Sequence, residues 1–97
     1  MGYKVFWTDE AVLNLEEIIA YLTLKWSQKE VEHFKYKLSK HLDLICSNPL
    51  LFPVSEVQPR LRKAVLSKQT SVFYEVKQEE IFIVYLFVNA KSVSRLK

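Results

Sequence analysis

Apolar residues recur at steps of three and four across residues 9–25 and again across 28–47, and only a short break separates the two runs. So short a connection leaves room for nothing but two amphipathic helices lying antiparallel, a helical hairpin. Val12, Leu15, Ile19, Leu22 and Trp26 mark the expected buried stripe of the first helix. Val31, Phe34, Leu38, Leu42 and Ile45 mark that of the second. Thr8 offers an N-cap to the first helix, and Asp9 and Glu10 place negative charge where the helix dipole favours it. Asn14, Glu16, Glu17 and Lys25 fall on the opposite side and are assigned to solvent. The run SQKE, Ser27 to Glu30, has the form of a capping box that would start the second helix. Asn48 and Pro49 end it, because the residue before a proline is pushed out of helical geometry.

The rest of the chain has a different period. YKVFW at 3–7 reads as a short strand, and residues 48–60, with three prolines, read as an ordered loop. From Leu61 the alternation is of two residues, with Arg62, Ala64 and Leu66 on one face and Lys63 and Val65 on the other. SKQT at 67–70 and KQEE at 77–80 turn the chain, and Val72, Tyr74 and Val76 share a face of the strand between them. IFIVYLFV at 81–88 is apolar on both faces, the mark of a central strand covered on both sides. The order is β-α-α-β-β-β: an α+β fold in which a helical hairpin packs on a mainly antiparallel sheet, expected as one domain over residues 1–97.

Composition narrows the function classes. With 49% hydrophobic and 13% aromatic residues among 97, the chain is globular rather than disordered. Its longest apolar run is of strand length, too short to cross a membrane as a helix. Cys46 stands alone, which excludes an internal disulfide; with no signal-peptide pattern at the N-terminus, a cytoplasmic location is expected. Residues 1–59 hold six Lys/Arg against eight Asp/Glu, and residues 60–97 hold eight against three, so the net +3 divides as −2 and +5. The basic second half favours an anionic partner, either an acidic protein segment or nucleic acid, against the blander alternative of a solvated face.

Four stretches, FWTDEAVLNLEEIIAYL, NPLLFP, LRKAVLSKQTSVFYEV and IFIVYLFVNAKSVSRL, resemble the RelE/ParE superfamily of toxins, also known as plasmid stabilisation proteins. The resemblance spans nearly the whole chain and implies the same β-α-α-β-β-β fold. It also implies a small toxin paired with a cognate antitoxin, whose extended segment wraps the helical hairpin and sheet edge. RelE-like members cut messenger RNA in the ribosome, whereas ParE-like members inhibit DNA gyrase without being nucleases.

RNA cleavage through the 2′-hydroxyl needs a base, an acid and cations around the phosphorane. The residues matching such a constellation are Arg62, Lys68, Tyr74 and Lys91, with Lys63 beside them. The chain departs from the RelE pattern in having Ser71 where an arginine precedes the middle-strand tyrosine. It departs again with Val88, Ala90 and Val93 at the Asp, Arg and Pro places after the last strand. Lys91 supplies charge there without a bidentate fork.

His33 and His41 lack partners at metal-ligand spacing, and no glycine-rich phosphate loop is available, so neither a metal nor a cofactor is expected. Trp7 and Trp26 are read as core anchors and Cys46 as a small buried hydrophobe. The favoured reading is a ParE-like toxin acting by binding, in which Arg60, Arg62, Lys63, Lys91 and Arg95 face the antitoxin or the target. Direct nucleic-acid contact ranks second. The alternatives are a RelE-like ribosome-dependent endoribonuclease and a degenerate relative that only sequesters its antitoxin.

Overall fold

The computed structural model describes residues 3–88. Its elements are β1 (Lys4–Trp7), α1 (Asp9–Lys25), α2 (Gln28–Ser47), β2 (Arg62–Val65), β3 (Thr70–Lys77) and β4 (Glu80–Val88). The strands form one sheet in the order β1-β4-β3-β2. Strands β2, β3 and β4 run as an antiparallel meander, and β4 returns beside β1 in parallel, so the sheet is mixed and mainly antiparallel. The helical hairpin covers one face. Ala11 and Ile18 of α1 and Leu38 and Ile45 of α2 meet Val72, Tyr74, Ile81, Ile83 and Leu86 of the sheet in the core.

The apolar run of β4 resolves into two faces through a β-bulge. Tyr74 is paired with Ile83 but Phe73 with Tyr85, which leaves Val84 unmatched. The extra residue inverts the alternation, so Ile81, Ile83, Leu86 and Val88 all point toward the helices. Phe82, Tyr85 and Phe87 point to the other face. The backbone groups that the bulge frees are taken up by α1 and its cap. Thr8 Oγ1 donates to the Val84 carbonyl at 2.6 Å and accepts from the Ala11 N–H at 3.0 Å, while Asn14 Oδ1 accepts from the Leu86 N–H at 3.0 Å.

These tethers fix the rotation of α1 and correct the stripe expected from sequence. The side facing the sheet is Ala11, Leu15, Ile18 and Leu22, with Asn14 turned inward rather than to solvent. Val12 and Trp26 are exposed at 41% and 38%, so Trp26 is not a core anchor; Trp7 packs against the core. The expected capping box is also absent. Ser27 is the N-cap of α2 but its hydroxyl makes no cap bond, because the Glu30 N–H is taken by the Ser27 backbone carbonyl at 3.0 Å. The stripe of α2 lies where its spacing puts it, with Val31, Leu38 and Ile45 buried.

Candidate functional site

Alternation along β2 separates the cations that sequence places side by side. Arg62 shares a face with Ala64, toward the helices, while Lys63 stands opposite Phe73 on the outer face. Arg62 lies directly across from Tyr74, and both side chains reach the loop that follows α2. The Arg62 guanidinium donates from Nη1 to the Phe52 carbonyl at 2.7 Å and to the Leu50 carbonyl at 3.5 Å. The Tyr74 hydroxyl donates to the Pro49 carbonyl at 2.7 Å. The Phe52 ring closes the cluster, edge-on to Tyr74 at 6.4 Å and facing His41 at 6.1 Å. His41 Nδ1 in turn donates to the Lys37 carbonyl at 2.9 Å. Burial pushes the Tyr74 phenol above its ordinary pKa, and the nearby Arg62 charge offsets only part of that rise.

The other sequence candidates lie apart from this pair. Arg60 bonds Glu75 across the outer face at 3.3 Å, a surface ion pair of small energetic worth. Lys68 sits exposed in the β2–β3 turn. Ser71 is buried on the outer side of β3, opposite Val65 on one flank and Phe87 on the other. Lys91 and Arg95, with Ala90 and Val93, lie outside the described residues. His33 is exposed on α2 and Cys46 half-buried near its end. Among the described residues, no three His, Cys, Asp or Glu side chains gather as a metal ion would require.

Sequence reasoning missed the outer face of the sheet. Phe73 stacks on Tyr85 at 4.6 Å, Phe6 stacks on Phe82 at 5.4 Å, and the Lys63 ammonium lies 5.9 Å from the Phe73 ring centre. The loop residues Pro53 to Val57 rise beside Phe73, Tyr85 and Phe87 and enclose a groove of about 490 Å³. Their placement follows from backbone pairing: Lys63 N–H donates to the Pro53 carbonyl at 2.9 Å, and Ser55 N–H to the Leu61 carbonyl at 2.8 Å. The signal in the sequence was the second set of apolar residues in the β4 run. Without the bulge its phase could not be assigned.

Residues 5–90 match the family model of the ParE toxin of type II toxin-antitoxin systems, parDE. The chain belongs to the ParE toxin family. No curated protein gives a sequence match. Among solved structures, this ParE-family chain is similar to one from the chromosomal ParDE toxin–antitoxin system of P. aeruginosa. The two share 20% identity and a TM-score of 0.73 over 89% of this chain and 95% of that one. It also resembles YafQ of E. coli at 10% identity and a TM-score of 0.61, over 93% of this chain and 97% of that one. HP0894 of Helicobacter pylori follows at 12% identity and a TM-score of 0.59, with 91% and 96% covered. At such identities the likeness is one of fold. Among the described residues of this ParE-family toxin, no helix is long and apolar enough to cross a membrane.

Proposed function

We propose that this toxin acts in the cytoplasm as a single domain, by binding an intracellular target rather than by cutting RNA. DNA gyrase is the target to test, and a cognate antitoxin is the neutralising partner. The observation that carries the binding reading is the commitment of Arg62 and Tyr74 to loop carbonyls. A ribonuclease needs its arginine on the phosphate and its tyrosine within reach of a reacting oxygen. Here the phenol is fully buried and its proton is held more firmly than in water, the opposite of what a general base requires. Ser71 supports the same reading, since a hydroxyl at the arginine place supplies no charge to a phosphorane.

The decisive experiment expresses the full chain in a sensitive bacterium and follows growth, gyrase supercoiling and messenger RNA 5′ ends together. Growth arrest with inhibited supercoiling and intact messages is the expected result. Discrete breaks within codons would instead favour ribosome-dependent cleavage by a set drawn from Arg62, Lys68, Tyr74 and Lys91. Normal growth, with retained binding to the product of the adjacent reading frame, would identify a degenerate relative that only sequesters its antitoxin.

A further inference from the structure

The helical hairpin has an outer face, turned away from the sheet, and its two halves carry opposite charge. On α1, Asp9, Glu10, Glu16 and Glu17 stand against Lys25 alone. On α2, the stretch from His33 to His41 holds Lys35, Lys37 and Lys40 and no carboxylate. The helices are neighbours, yet among the described residues the single ion pair is Arg60 with Glu75, elsewhere in the fold. The charges of both helices are therefore open to a partner. Large apolar groups share this face: Leu13 is 54%, Tyr36 62% and Leu24 83% exposed. Each stands two positions, about 200° of helical rotation, from a residue packed on the core, Leu13 from Leu15, Leu24 from Leu22 and Tyr36 from Leu38. The Lys40 ammonium lies 5.8 Å from the Tyr36 ring centre, which holds that ring along the helix surface.

An acidic helix beside a basic one is complementary to a second copy of itself. Two hairpins can stack face to face about a two-fold axis in two ways. An axis across the helices sets α1 on α1 and α2 on α2, like charge on like. An axis along the helices sets α1 of each copy on α2 of the other, acidic on basic, and does so twice. Glu16 and Lys37 stand equally far from the connection between the helices, about 15 Å along each, so the second arrangement brings them opposite one another without a shift. We infer that the outer face of the hairpin pairs with that of a second copy about an axis parallel to the helices. Glu16 and Glu17 of one copy lie against Lys37 and Lys40 of the other, with Leu13, Leu24 and Tyr36 between them. Helices of 17 and 20 residues side by side offer a footprint on the order of 500 Å² per copy, which suits a weak, concentration-dependent dimer. The outer face of the sheet stays open in it.

The test is analytical ultracentrifugation of the full chain from about 10 µM to about 1 mM, where an interface of this size should show a monomer–dimer equilibrium that added salt weakens. Two charge variants, Glu16→Lys with Glu17→Lys and Lys37→Glu with Lys40→Glu, are compared with it after thermal unfolding shows that each stays folded. Alone, each variant faces like charge at both ends of the two-fold and should dimerise about tenfold more weakly or less. Mixed in equal amounts, they meet as complementary pairs and should recover dimerisation near the wild-type level. Leu24→Asp should weaken the dimer about tenfold without changing which mixture recovers. A wild type that stays monomeric throughout, a dimer indifferent to both charge variants, or a mixture that fails to recover would each overturn the inference. So would a short DNA duplex that shifts the Lys37 and Lys40 amide signals at concentrations below those at which the chain pairs with itself.

Discussion

The Tyr74 hydroxyl donates to the Pro49 carbonyl at 2.7 Å, fastening the interior strand β3 to the loop just past α2 across 25 positions of sequence. A buried phenol in this position is a strut: it fixes where the loop leaves the hairpin, and through the loop it fixes the groove on the other side of the sheet. Tyr74→Phe keeps the ring but strands the carbonyl, and should cost about 1–3 kcal/mol in denaturant unfolding. Burial of the same phenol, rather than the Pro49 contact, carries a pH dependence. The folded phenol titrates above its unfolded value of about 10, so its stabilisation is fully present below that pH and is lost as pH rises through the folded pKa. Unfolding curves taken across the alkaline range should show this decline in the wild type and a smaller one in Tyr74→Phe.

Asn14 is a tether between α1 and the bulge, and its worth lies in satisfying the Leu86 N–H. Asn14→Ala leaves that donor without its acceptor and should destabilise by about 1–3 kcal/mol. Asn14→Asp, which keeps an accepting oxygen, should lose less. Equal losses in the two variants would mean that helix packing, not the hydrogen bond, is what the position supplies.

The two N-caps should behave differently. Thr8 Oγ1 bonds both Ala11 N–H and the Val84 carbonyl, so Thr8→Ala should cost about 1–2 kcal/mol. Ser27 makes no side-chain cap bond, so Ser27→Ala should stay within about 0.5 kcal/mol of wild type. Thermal or denaturant unfolding of the pair checks the contrast.

Gln78 sits in the β3–β4 turn at φ 54°, in the left-handed region where a Cβ crowds the backbone. Gln78→Gly relieves that crowding and should raise stability by about 0.5–1 kcal/mol, after the larger entropy of glycine in the unfolded chain is subtracted. A fall in the unfolding midpoint would show that the glutamine side chain contributes more than its backbone costs.

Much of the fold was legible because periodicity reports burial. Helices over 9–25 and 28–47 and the shared face of Val72, Tyr74 and Val76 follow from spacing alone, while the turn read from SKQT at 67–70 is one residue shorter, because Thr70 already opens β3. The rotation of α1 did not, since several apolar residues sit around its circumference. Side-chain bonds from Thr8 and Asn14 to β4 select which of them face the core. The candidate site was legible only as composition. Arg60, Arg62 and Lys63 read as one basic run, and the strand alternation divides them between two faces with different partners.

The sequence by itself determined the order of elements, the hairpin and the buried stripe of α2, because these depend on neighbours within a turn or a strand. Only the tertiary structure decided that Arg62 and Tyr74 bind the loop, that Val84 inverts the phase of β4, and that Phe73, Tyr85 and Phe87 come to share a groove with residues 53–57. Each of those outcomes depends on which distant backbone group lies opposite a given side chain. Local spacing carries no record of that.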